Sequence, residues 1–474
     1  MEKPRRVGLG WPFGVWGGVA AAVTAALVWF LAGRMEGQGP SVAVDLPSPA
    51  PIGSSAEISL VLEDAQSGLR RLTATLSKDG KEMVLADAEF PASGLLGMTG
   101  ERHQTHRIKL EPRVLGLSDG KGVLKLAAWD RSWRNWGRGN LTEIRQEVVI
   151  DTRPPVIEAL TQQNYVNQGG AGVAVYRLSE DCPASGVRVG ETFYPGFSGF
   201  YADRSVYIAF FAFAHDQPAG ASIVLEATDA AGNSARTRFP HIVRKKVFKK
   251  DRLTSSDSFI QQILPGLEEQ IPLKADATLK DKFLFINREL RRRNYEAIVA
   301  ATRRTQPAML WQGPFGRLPN AAPRAAFADR RTYIYDGKEI DQQDHLGVDL
   351  ASLANSAVPA ANSGVVAAAA FFGIYGQTVI IDHGFGLFSM YSHLSRMMVK
   401  PGDRLAKDDV LGFTGMTGLA GGDHLHFGIF LAEGGDHALH VEAGQAYLIA
   451  QAHGAAHFAG GKLTAQGRAV NGFF

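Results

Sequence analysis

The chain of 474 residues has a single cysteine, Cys182, so no intramolecular disulfide can form and no paired-cysteine zinc ribbon exists. In a chain read as exported, that lone thiol is a small buried residue rather than a reactive group. An excess of charge is also missing. The formal net charge of +3 is small for this length, and no basic patch with interleaved aromatics appears, so nucleic acid is not an expected partner. The HExxH metal motif is absent too. His453 and His457 have the right spacing, but Gly454, Ala455 and Ala456 between them supply no glutamate. What remains is ordinary for a globular chain, with 45% hydrophobic and 20% charged residues. Glycine is plentiful at 53 residues, which fits many short strands joined by tight turns.

A long uncharged run opens the chain. Lys3, Arg5 and Arg6 precede Val7 to Gly33, which Arg34 closes. With Pro12 marking the start of a helix, residues 13–32 are long enough to span a bilayer. No small-x-small cleavage site follows Leu31, so the expectation is an uncleaved signal anchor in the inner membrane. The basic cluster places the N-terminus in the cytoplasm and everything after Arg34 in the periplasm.

Five segments are expected along the chain. Residues 1–40 form the cytoplasmic N-terminus and transmembrane anchor. Residues 41–150 and 151–245 look like two copies of one unit. Val42 to Pro47 opens the first copy and Val148 to Asp151 opens the second, while Leu126 to Asp130 is answered by Leu225 to Asp229. Offsets of about one hundred residues match an immunoglobulin-like sandwich, and the pair resembles bacterial Ig-like modules. Residues 246–308 are entered through a basic run, Arg244 to Arg252, read as a solvated connector or lysine-protected edge strand. They continue as a helical neck capped at Ser256 or Asp257, with Phe283, Ile286, Leu290, Ala297 and Ala300 at helical spacing. From about Trp311, residues 309–474 change to short strands between glycines: Thr332 to Tyr335, Gly364 to Ala370, Thr378 to Asp382, Phe388 to His393, Val410 to Thr414 and Leu425 to Phe430. The fold class is therefore mainly β, ending in an antiparallel β-sheet domain.

Three short stretches in that domain carry chemistry. They are His345-Leu346-Gly347-Val348-Asp349, Ser389-Met390-Tyr391-Ser392-His393-Leu394 and His424-Leu425-His426-Phe427. They gather four imidazoles and one carboxylate within about eighty residues, the ligand types of an open catalytic zinc site. Alternate side chains of a strand share a face, so His424 should point with His426, and His345 with Asp349. Gly347 and Val348 argue against a helical pair at that spacing.

These residues resemble the lysostaphin-type, LytM-like zinc endopeptidases that cut peptidoglycan cross-bridges, with the duplicated-hybrid-motif fold. The resemblance covers about Gly313 to Ala432 and includes the turns Pro401-Gly402-Asp403 and Leu411 to Gly418. It implies that His345, Asp349 and His426 hold Zn2+ and that His393 and His424 are the catalytic histidines. It leaves open which of the two carries the water's proton to the leaving amine and which donates to the oxyanion. His383, His437 and His440 are read as turn or loop histidines without a role. The family's Asn-Pro and Trp segment after HLHF is missing, because Leu431 to His457 is rich in Ala and Gly. The implied function is hydrolysis of peptidoglycan cross-links by zinc-activated water. Cell-wall or division proteins are implied as partners of the Ig-like modules. The alternative is a non-catalytic relative that binds and activates a cell-wall amidase.

Overall fold

The computed structural model describes residues 13–93, 99–161, 163–274, 276–432 and 438–442. His437, His453, His457 and most of the divergent stretch after HLHF lie outside these. The chain is mainly β and falls into two compact units, 1–154 with 230–233, and 155–229 with 234–474.

The first unit opens with the helix Phe13–Arg34. This is the segment expected to cross the inner membrane, and the side chains of 13–15, 32 and 33 are outside the described set. Among the described residues no helix is long and apolar enough to cross a membrane, so the transmembrane expectation finds no support. Two sheets follow. One has three strands, Ser41–Val44, Ala56–Glu63 and His103–Leu110; the other has five, built around Leu69–Lys78, Gly120–Asp130 and Leu141–Ile150. Ile58, Leu60 and Leu62 alternate with exposed or half-buried positions, and they meet Leu72, Leu76, Leu124 and Leu126 in one core. The alternation is what a sheet with one solvated face requires.

In the second unit, residues 155–245 form a seven-stranded sheet with a separate two-stranded ribbon. Its strand order differs from that of the first module, so the hundred-residue repeat of similar segments does not extend to a common topology. Nor does this module have a core of its own. Its buried residues, Phe210 and Phe213 among them, belong to one apolar cluster with Trp311, Tyr391, Leu425 and Phe427 of the C-terminal domain. Phe197 stacks on Phe385 at 4.9 Å between ring centres, and Phe210 meets Trp311 at 5.5 Å. Cys182 is half-buried rather than buried. Burial and neighbouring carboxylates push its thiol up to about 11, which keeps it unreactive.

The C-terminal domain is built on an eight-stranded sheet. Its spatial order runs Ala322–Ala325, Val348–Ala351, Leu425–Ala432, Leu387–Leu394, Gln377–Gly384, Gly364–Phe371 and Arg404–Leu405, with Ala438–Val441 added beside Leu425–Ala432. Both faces are covered. Leu387, Tyr391, Leu425 and Ile429 face the shared cluster. Phe388, Met390 and Phe430 face the neck, where Ile260, Phe283, Ile286, Leu290 and Ile298 pack on them. That two-sided burial explains the nearly continuous apolar runs in these strands.

The neck comprises the helices Asp257–Ile263, Leu279–Phe285 and Arg291–Thr302, with a π turn at Ile286–Leu290 joining the last two. Ser256 caps the first, accepting from Phe259 N, and Thr278 caps the second, accepting from Asp281 N. The basic run includes an edge strand, Lys250–Thr254, which pairs with Asp329–Tyr335.

Candidate metal centre

His345 ends the strand Lys338–His345, and Asp349 lies in the next, Val348–Ala351. They are not on one continuous strand, as the spacing alone suggested, because Leu346 and Gly347 break it. The two side chains still meet. Asp349 sits directly opposite His426 in the adjoining strand pair. His345 Nε2, Asp349 Oδ1 and His426 Nδ1 form a triangle with sides of 2.9, 2.9 and 3.0 Å. All three residues are buried.

These contacts cannot all be hydrogen bonds. His345 Nδ1 lies 2.9 Å from the carbonyl oxygen of Ala326, which only accepts, so that nitrogen carries the proton. In the neutral ring Nε2 then offers a lone pair, and it faces both a carboxylate oxygen and a second imidazole. Such a group of electron pairs is stable only around a positive charge. Ligands at tetrahedral angles around a small divalent ion stand roughly 3.4 Å apart, close to the sides of this triangle. The N, N, O donor set with carbonyl-fixed imidazole is also what such ions select. The residues present therefore fit a metal. Despite the burial that would raise it, the Asp349 carboxyl stays well below the usual range. Its other oxygen accepts from Arg331 Nη2 at 2.9 Å, which keeps the carboxylate ionised and oriented.

His393 and His424 complete the group. His424 Nε2 is 3.7 Å from Asp349 Oδ1. The His393 ring centre lies 4.8 Å from that of His424 and 5.9 Å from that of His426. Each is oriented in the same way as His345. His393 Nδ1 donates to Thr417 O at 2.8 Å, and His424 Nδ1 donates to Gly422 O at 2.8 Å. Both therefore present a bare Nε2. Burial, then the neighbouring His424 and His426, pushes His393 down to about 3, so it is a neutral base. His393 also adopts φ of +62°, a left-handed conformation that costs a non-glycine residue about 1–3 kcal/mol. All five residues singled out in the sequence thus lie together. They line one cavity of about 320 Å³ with Phe259, Arg291, Arg331, Tyr333 and Tyr375.

The motif's other letters have structural work. A Cβ on Gly347 would fall 2.5 Å from His426 Cε1 and Nε2, so only glycine lets that ring lie against the turn. Ser389 and Tyr391 point to the opposite face. There Ala361 N donates to Tyr391 Oη at 2.8 Å, the Tyr391 and Ser389 hydroxyls are hydrogen-bonded at 3.0 Å, and Ser389 Oγ lies 2.7 Å from His383 Nε2, while His383 Nδ1 donates to Ser363 O at 2.8 Å. His383 is thus a buried core residue on a strand, not a turn histidine. His440 is buried as well, on the strand Ala438–Val441 behind Phe430, rather than in a loop. Sequence reasoning also missed Arg331 and the orienting carbonyls of Ala326, Thr417 and Gly422. No residue-type signal marks a backbone acceptor.

Residues 343–438 match the family model for Peptidase family M23. The chain carries an M23 peptidase domain. It is similar to the DD-carboxypeptidase/endopeptidase Mpg of Neisseria meningitidis, with 36% identity over 83 residues, 18% of this chain and 19% of that protein. It is also similar to the peptidoglycan DD-endopeptidase ShyA of Vibrio cholerae, with 34% identity over 83 residues, again 18% and 19%. A crystal structure from Pseudomonas aeruginosa assigned to peptidase M23 shares 23% identity, covers 59% of this chain and 93% of its own, and gives a TM-score of 0.36. The M23 match therefore spans about a fifth of the length of these curated relatives.

Proposed function

We propose that this protein is a zinc-dependent endopeptidase that hydrolyses peptide cross-links of peptidoglycan. The observation that carries the reading is the triangle of His345, Asp349 and His426, with two further imidazoles beside it whose Nε2 atoms are bare. His345 Nε2, Asp349 Oδ1 and His426 Nδ1 would hold the ion. When bound, zinc supplies Lewis acidity that lowers the pKa of a bound water from 15.7 to about 7 and polarises a scissile carbonyl. The chain's own residues do the rest. One bare Nε2, of His393 or His424, takes the water's proton and returns it to the leaving amine. The other donates to the oxyanion as an imidazolium that has taken a second proton from solvent. Thr417 O and Gly422 O accept from Nδ1 of the two rings and so turn both Nε2 atoms into the cleft.

The peptidoglycan assignment is supported by the names of the relatives matched over the M23 domain. It places the working protein outside the cytoplasmic membrane, which a β-lactamase fusion at the C-terminus would report as ampicillin resistance. The alternative, an amidase activator without catalysis, needs neither the metal ligands nor the paired histidines, so the complete set favours the enzyme. The deciding experiment is digestion of sacculi by the purified full chain with muropeptide mass spectrometry. Chelator-sensitive loss of cross-linked dimers is expected. Unchanged dimers, with one zinc per chain measured, would overturn the hydrolase reading.

A further inference from the structure

We propose that Arg291 is the specificity-determining residue of this cleft, binding a carboxylate on the peptide beside the scissile bond. The inference rests on the endopeptidase reading and adds the substrate chemistry to it. Four arginines stand close together on the neck. Arg288 pairs with Asp341 at 3.0 Å, Arg292 with Glu289 at 2.8 Å, and Arg293 with Glu289 at 2.8 Å. Among the described residues no carboxylate pairs with Arg291, and it is this arginine that lines the cavity holding His345, Asp349, His393, His424 and His426.

Its guanidinium is pre-set. Nε donates to Asn287 O at 3.1 Å and Nη2 donates to Asn287 Oδ1 at 2.7 Å. Asn287 is fully buried and is itself fixed by donating to Asp341 Oδ2 at 2.8 Å. Nη1 makes no hydrogen bond among the described residues. The π turn Ile286–Leu290 immediately precedes Arg291 and contains the asparagine that holds it. An arginine fork held by neutral partners keeps its full charge for an incoming carboxylate, and a planar fork recognises that group with two donors.

The cavity's other charges agree. Its lining contains two arginines, 291 and 331, and one carboxylate, Asp349. Arg331 is already committed to Asp349 at 2.9 Å. Arg291 is therefore the uncommitted positive charge of the lining. The carboxylate it takes could be the α-carboxylate of a cross-linking diamino acid or the C-terminal carboxylate of the stem.

The test uses the full chain and three synthetic tetrapeptide dimers cross-linked through a diamino acid: the free acid, one amidated at the diamino-acid carboxylate, and one amidated at the C-terminus. Binding to His393→Ala protein is read by calorimetry and turnover by the wild type in parallel. One amidation should weaken binding about ten- to a hundredfold and raise KM correspondingly, and which one does so names the source. In the Arg291→Gln background the same amidation should cost nothing, with zinc content and melting temperature unchanged. Arg291→Lys should recover part of the discrimination, because it restores charge without the fork. Equal affinity of the parent protein for all three dimers, or discrimination preserved in Arg291→Gln, overturns the proposal. Absence of turnover with discriminating binding would sink the hydrolase reading and leave this one standing.

Discussion

At the residue scale, the five side chains divide by what each donor atom faces. Replacing His345 or Asp349 with Ala breaks the donor triangle, so zinc measured by mass spectrometry should fall from one per chain to near zero. Replacing His393 or His424 with Ala leaves the triangle intact. Zinc should stay, and kcat should fall by about 10²–10⁴. Gly347→Ala pushes a methyl into the His426 ring, so it should weaken zinc by about 10–100-fold, as loss of a supporting contact does. A separate prediction concerns His383. Burial pushes it down to about 4, below its ordinary value of 6.5. Between those two pH values the unfolded chain binds a proton that the folded chain refuses. Stability is therefore fully present above pH 6.5 and lost as pH falls toward 4, by roughly 3 kcal/mol from this residue. Urea titrations across that window should show the slope, and His383→Gln should flatten it by close to one proton. The site histidines were legible because five residues, four His and one Asp, in a fixed order narrow the chemistry. His383 was not, since its role depends on Ser389 and Tyr391 lying on the face away from the metal.

At the element scale, the strands Leu387–Leu394 and Leu425–Ala432 were readable from apolar runs between glycines. Lys338–His345 was not, because its sequence Lys-Glu-Ile-Asp-Gln-Gln-Asp-His is polar, and it is held as a strand by pairing with Asp329–Tyr335. Helical spacing located the neck as an element packed on the C-terminal domain, and the structure adds its position as a wall of the cleft. That position depends on polar anchors. Asn294 Oδ1 accepts from Ile374 N at 2.9 Å and so fixes the turn Gly373–Tyr375, whose Tyr375 ring lies 5.6 Å from that of His426. Asn294→Ala would leave a buried amide unpaired, at a cost of about 1–3 kcal/mol. Chemical denaturation should show that loss. Hydrogen exchange should show faster exchange at residues 373–376, while zinc content stays the same.

At the scale of the whole molecule, the boundary that sequence placed near residue 246 separates two sets of residues that share one core. The partners are far apart along the chain, Phe197 with Phe385 and Phe210 with Trp311, and no local pattern announces such pairing. The repeat spacing encouraged the opposite expectation, that each hundred-residue copy buries its own apolar face. This has a direct consequence for where the chain can be cut. A fragment starting at residue 250 keeps every metal-centre residue and the neck, yet it strips the cover from Trp311 and Phe385, which are 1% and 2% exposed. Uncovering two large aromatic side chains and the apolar residues around them removes several kcal/mol by the usual area relation and creates a patch of the kind that drives aggregation. Residues 155–474 should therefore express as a monomer with a single cooperative unfolding transition and bind one zinc. Residues 250–474 should aggregate or melt well below it. Equal melting temperatures for the two fragments would show that the shared cluster contributes nothing to holding the metal domain together.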